Sequence, residues 1–135
     1  MAIPPKMAAK IMISILALFI TKITSDPNTK VLSVLCNSGE YSKGDPFGIS
    51  LAFVVEELED STPKSKNYNY YNISPYPNAF AFGHAACNQN LTTSDCRTCL
   101  AAAKTAMFSS CPNRIGSRSV LQDCTIRYEQ YPFDD

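Results

Sequence analysis

Apolar side chains recur at helical steps in two stretches of the chain. In the first, Phe47, Leu51, Val54, Val55 and Leu58 form one stripe, with Glu56, Glu57, Glu59 and Asp60 on the polar side. That spacing predicts an amphipathic helix with a single buried face. Asp45-Pro46 starts it: aspartate suits the cap, and proline suits the first helical position, where a missing N–H costs little. The acidic cluster at the far end opposes the helix dipole and predicts fraying near Leu58. In the second stretch, Ser94 to Ser110, the residues Cys96, Cys99, Leu100, Ala103 and Met107 share one face. Thr93 or Ser94 supplies the cap, Asp95 favours the positive end of the dipole, and Pro112 prevents continuation.

Four other segments carry strand signals. Lys30 to Cys36 (KVLSVLC) is β-prone, and Asn67 to Tyr71 (NYNYY) alternates polar and aromatic residues. Ala79 to Cys87 places Phe80 and Phe82 on one face, and Ser119 to Gln130 reads as one long strand. Pro75 and Pro77 separate the middle two. The order β-α-β-β-α-β, without an internal repeat, predicts an α+β fold: an antiparallel sheet with two helices packed on one face.

The first 25 residues stand outside this pattern. Lys6 and Lys10 precede the apolar run Ile11 to Ile20, and small polar residues follow up to Ser25. This is the order of a secretory signal peptide, and the run is too short to span a bilayer. Cleavage is expected near Ser25, giving residues 1–25 as signal peptide and 26–135 as a single secreted, extracellular domain. Loss of Lys6, Lys10 and Lys22 turns a balanced chain of twelve basic and twelve acidic residues into one of nine and twelve, net −3. A mildly acidic protein without a basic run is poorly suited to nucleic acid or to membrane disruption.

All six cysteines, Cys36, Cys87, Cys96, Cys99, Cys111 and Cys124, fall after residue 25. An even number in a small exported domain implies three disulfides, and spacing alone leaves 15 pairings open. Cys96-Arg97-Thr98-Cys99 matches a redox C-x-x-C only in outline, since a thioredoxin-like motif needs a βαβ context and a free pair. No histidine cluster accompanies the thiols, so zinc is not expected. His84 is the only histidine and has no neighbouring nucleophile, which leaves it a strand residue. Asp134-Asp135 and Glu56-Glu57 read as solvated surface carboxylates. No catalytic constellation and no cofactor site emerge. Asn72-Ile73-Ser74 and Asn90-Leu91-Thr92 are glycosylation sequons.

Several words of the sequence match a known pattern: Cys36-Asn37 after a strand, Pro46-Phe47 opening a helix, and the 87/96/99 spacing with Ser94-Asp95-Cys96. Cys111, Ile115-Gly116-Ser117-Arg118, Asp123-Cys124 and Tyr128-Glu129-Gln130 complete it. On these residues the chain resembles the plant ginkbilobin-type antifungal lectins, whose domain also occurs in cysteine-rich secretory repeats and cysteine-rich receptor-like kinases. The resemblance spans roughly Lys30 to Phe133. It implies the pairings Cys36–Cys111, Cys87–Cys96 and Cys99–Cys124, and a metal-independent mannose site at Asn37, Arg118 and Glu129. Those residue types suit a sugar: arginine donates a fork, glutamate accepts, and asparagine does both.

Each site residue also has a plainer reading. Asn37 is a turn residue able to cap its own backbone. Arg118 and Glu129 are a possible exposed cross-strand ion pair, worth little. Arg114 is assigned to solvent, and the tyrosines of NYNYY to strand core, sheet surface or a sugar-stacking platform. The leading expectation is a secreted, apoplastic mannose-binding lectin with an antifungal role, recognising mannan-type glycans of the fungal cell wall. The alternative is a non-enzymatic interaction module that binds receptor ectodomains or itself and keeps a vestigial sugar site.

Overall fold

The structure, a computed structural model, describes residues 26–135. The expected signal peptide and its cleavage site lie outside these residues. The chain order is β1 (Val31–Cys36), α1 (Phe47–Ser61), β2 (Asn69–Ile73), β3 (Phe82–Cys87), α2 (Thr93–Ser110), β4 (Ser117–Leu121) and β5 (Cys124–Glu129). The five strands form one antiparallel sheet in the order β1-β4-β5-β3-β2, with β5 at its centre. The expected stripes of both helices are buried, and they pack on Ala85, Ile126 and Tyr128 of the sheet.

The three disulfides are Cys36–Cys111, Cys87–Cys96 and Cys99–Cys124, and no described cysteine is free. All three start from α2 or its C-cap residue Cys111, and they end on β1, β3 and β5. The helix face that carries Cys96 and Cys99 is therefore tied to two strands at once.

Local details depart from the sequence reading in several places, among them β3, which starts at Phe82 and not Ala79, and α1, whose N-cap is Pro46 and not Asp45. The single strand expected over Ser119 to Gln130 is a hairpin, β4 and β5, turning at Gln122-Asp123. The Asp123 carboxylate anchors that turn by accepting from the Asn28 N–H at 2.6 Å and from the Asn88 amide at 3.2 Å. The cap of α2 is Thr92, whose Oγ1 accepts from the Asp95 N–H at 3.1 Å. β2 starts two residues later than expected, because Asn67 and Tyr68 adopt left-handed backbone angles.

The C-terminus of α1 does not fray at Leu58 but runs to Ser61. Its acidic residues are held by partners from outside the helix. Glu59 pairs with Lys104 of α2, and Glu57 accepts hydrogen bonds from the Tyr70 hydroxyl and the Asn72 amide. These contacts offset the unfavourable dipole term, which is worth less than a kilocalorie or so at a surface.

Gly83 sets the distance between α1 and the sheet. A Cβ there would overlap Val54 and Leu58 of α1 and the Asn72 side chain. Gly83→Val should therefore overpack the core and lower stability by about 1–3 kcal/mol in urea unfolding. The sequons also separate. The Asn72 amide nitrogen is engaged by the Val54 carbonyl at 3.0 Å, whereas Asn90 is exposed. Peptide mapping of protein from a glycosylating host should find any N-glycan on Asn90 and none on Asn72.

Candidate functional site

The register of the sheet aligns one residue from each strand across its helix-free face. Leu35 of β1 pairs with Arg118 of β4, Arg118 with Arg127 of β5, Arg127 with His84 of β3, and His84 with Tyr71 of β2. Glu129 lies on the same face as Arg127, two residues along β5. Two arginines directly opposite each other repel, and such a pair needs compensating anions.

Asn37, Arg118 and Glu129 line one cleft of about 280 Å³, with Arg127, Tyr131 and Leu35 completing its walls. Asn37 is reached through the Cys36–Cys111 bridge and a backbone bond from its N–H to the Gly116 carbonyl at 2.9 Å. Its side chain does two things. Oδ1 caps the local turn by accepting from the Gly39 N–H at 3.0 Å, and Nδ2 points at Glu129 Oε2, 3.5 Å away. The turn role and the cleft position are thus compatible.

Glu129 is 6% exposed. Gly116 makes room for it, since a Cβ at that position would overlap the Glu129 carboxylate. Its charge faces Arg127 Nε at 3.4 Å. The plain cross-strand pair expected between Arg118 and Glu129 is not the arrangement found. Arg118 instead has its nearest carboxylate in Asp135, at 3.9 Å, and its Nε is buried without a partner among the described residues.

Two expectations are corrected here. Arg114 is not a solvent residue: it is half-buried, and its Nη1 donates to the Asn37 carbonyl at 2.9 Å, bracing the cleft from below. Asp135 is not a solvated carboxylate, because the tail folds back over the sheet. Its side chain is 7% exposed, with Oδ1 receiving a bond from Arg127 at 2.7 Å and Oδ2 lying 2.8 Å from His84 Nδ1. His84 is a strand residue of β3, as expected, and its Nε2 also lies 2.5 Å from Asn69 Oδ1 while its ring stacks on Tyr71 at 4.1 Å. The Arg127 guanidinium sits 4.0 Å over the Phe133 ring. Arg127 was the signal missed. A hairpin at Gln122-Asp123, once recognised, would have set it opposite Arg118.

A larger groove of about 580 Å³ lies between the helices, walled by Tyr41 and Phe108, and the Glu59–Lys104 pair crosses it. It contains none of the candidate residues. Among the described residues no three His, Cys, Asp or Glu side chains stand close enough to hold a metal ion.

Burial alone would push the Asp135 carboxyl up, but the bonds from Arg127 and His84 and the charges of Arg118 and Arg127 outweigh it and hold the carboxyl low. A depressed carboxyl stabilises the docked tail above the ordinary carboxylate range and loses that contribution as the pH falls through its folded value. The groups facing it are Arg118, Arg127, His84 and Tyr71, from four different strands. The ring resonances of Phe133 should move toward free-chain positions on strong acidification, and at neutral pH in Asp135→Asn. Measurement by NMR checks both.

The fold and cleft can now be set beside known proteins. Residues 35–131 match the model of the salt stress response/antifungal family. The chain is 33% identical over 120 residues to antifungal protein ginkbilobin-like protein 1 of Picea sitchensis, covering 88% of this chain and 90% of that protein. It is 35% identical over 113 residues to antifungal protein ginkbilobin-2 of Ginkgo biloba, covering 82% and 84%. Among solved structures, the tandem DUF26 ectodomain of the Arabidopsis thaliana cysteine-rich receptor-like protein PDLP8 superposes with a TM-score of 0.72 at 21% identity. That match covers 78% of this chain and 50% of the tandem, so this chain spans half of such an ectodomain and shares its fold. With its family pattern, its three bridges and its sheet order in place, the chain belongs to the salt stress response/antifungal family of ginkbilobin-like domains.

Proposed function

We propose that this protein is a secreted, metal-independent mannose-binding lectin with an antifungal role in plant defence, acting in the extracellular space on mannan-type glycans of fungal walls. The observation that carries the reading is the meeting of Asn37, Arg118 and Glu129 in one cleft, although they come from three distant points of the chain. The names of its antifungal relatives support the defence role. In this reading Arg118 donates to sugar hydroxyls through nitrogens not satisfied by the protein, Glu129 accepts, and Asn37 does both.

A second reading, an interaction module for receptor ectodomains or for another copy, draws on β1. This edge strand exposes Val31 (48%), Leu32 (54%) and Leu35 (63%). Binding of a protein partner without sugar dependence would favour it.

Calorimetric titration tests the lectin. Mannose should bind with a dissociation constant on the order of millimolar, because a few hydrogen bonds to a solvated ligand barely exceed the ordering cost. Asn37→Ala and Arg118→Ala should remove measurable heat, while thermal unfolding of Arg118→Ala stays close to that of the parent. Glu129→Gln should weaken binding, since an amide is a poorer acceptor than a carboxylate. Gly116→Ala touches no ligand but displaces the Glu129 carboxylate, and it should weaken binding by about tenfold or more, about 1.4 kcal/mol. Wild-type protein that binds neither mannose nor mannan would overturn the lectin reading.

A further inference from the structure

Across the helix-free face run two arginines and a histidine in adjacent register, Arg118, Arg127 and His84, all turned toward one carboxylate. That carboxylate belongs to the chain's own tail. The arginine pair continues on its other side into the cleft of Asn37 and Glu129. The protein therefore displays, within a single molecule, what this row of nitrogen donors holds: a planar carboxylate, gripped by a guanidinium at 2.7 Å and an imidazole at 2.8 Å.

We propose that Arg118, Arg127 and His84 form the binding site for the carboxylate of a hexuronic acid residue in an acidic glycan, and that Asp135 occupies it in competition. The inference deepens the lectin reading and rests on the same cleft. The pyranose ring of the uronate lies over the cleft, where Glu129 and Asn37 meet its hydroxyls, and its carboxylate replaces that of Asp135. Arg118 is the element that marks the site as incompletely filled. Its contact with Asp135 is long, at 3.9 Å, its Nε is without a partner among the described residues, and 41% of its side chain is exposed. Tyr71, itself 43% exposed, stacks on His84 and borders the space that the tail covers. Between Pro132, Phe133 and Asp134 of the tail and the Tyr71 and Phe82 side of the sheet lies a further cleft of about 370 Å³. The tail is thus a strap over incompletely filled space, and it can lift without opening the core on the other side of the sheet.

Competition has a direct signature. An internal occupant lowers the apparent affinity for an external one by the fraction of time the site is filled. The oxidised protein is titrated calorimetrically with trigalacturonate, with its methyl ester as the neutral counterpart. Asp135→Asn should bind trigalacturonate at least tenfold tighter than wild type, and the ester should show no such gain. Asp134→Asn makes the same change of net charge on an exposed neighbour that lines the adjoining cleft but pairs with none of Arg118, Arg127 and His84, and it should leave the affinity near wild type. Adding Arg127→Gln to Asp135→Asn should abolish the gain. Deleting residues 134–135 provides a second route to the open site and should reproduce the effect of Asp135→Asn.

Equal affinities in Asp135→Asn and Asp134→Asn would overturn the proposal, as would an equal gain for the ester. Loss of binding in Asp135→Asn would overturn it too, since it would show Asp135 to be a positioning residue and not a competitor. Mannose titrated against the same proteins separates this inference from the one it rests on. Mannose binding without a uronate gain removes only the acidic ligand, and a uronate gain without mannose binding removes only the neutral one.

Discussion

All the covalent cross-links of the described domain run between one helix and the sheet, and the rest of the architecture depends on that arrangement. Cys96, Cys99 and the capping Cys111 of α2 reach β3, β5 and β1, closing spans of 9, 25 and 75 residues. In the loop-entropy picture such spans each contribute roughly 3–4 kcal/mol by restricting the unfolded chain. That is a large share of what a domain of this size has to spare. Direction matters as much as number. Three anchors on three strands fix the helix axis against the sheet in every rotational sense. The cleft inherits this precision, because Asn37 follows one half-cystine directly and Arg114 lies three residues beyond its partner.

The outer face of the sheet is built on a conflict that the tail resolves. Arg118 and Arg127 oppose each other in register, an arrangement that repulsion disfavours. Glu129 relieves part of it from one side and Asp135 from the other. Tyr71 and Phe133 then cover flanks of the cationic row with aromatic surface. The Asp135 carboxyl is kept ionised by the arginines, and the arginines are kept in place by the carboxylates of Asp135 and Glu129.

Much of this was legible in the chain, and the exceptions have physical reasons. Both helices could be read because their apolar residues repeat at the helical period and each stripe is long. The sheet order could not, since strand pairing is a matter of distant partners. The residues from Ser119 to Gln130 all suit a strand, so nothing in local propensity announced that the chain reverses at Gln122-Asp123. The turn is held by Asn28 and Asn88, contacts far away in sequence. Without the hairpin, Arg127 had no visible partner. Asp135 reads as a solvated surface carboxylate for the same reason: its partners lie on β2, β3, β4 and β5. Asn37, Arg118 and Glu129 were legible only through the family pattern, and Gly116 shows why that pattern includes a glycine where it does.

The alternation along β5 has an evolutionary meaning. Ile126 and Tyr128 point to the helices, Arg127 and Glu129 away from them, so one strand serves two masters without sharing atoms. Substitutions at position 127 can retune what the outer face recognises while leaving the hydrophobic layer untouched, and drift in the interior need not disturb the outer face. Glu129 breaks that independence. It is seated against the backbone of Gly116, so a lineage that acquires a side chain at 116 must also re-seat the carboxylate. Diversification along the row of Arg118, Arg127, His84 and Tyr71 should therefore leave the hydrophobic core intact, whereas positions 116 and 129 should move in concert.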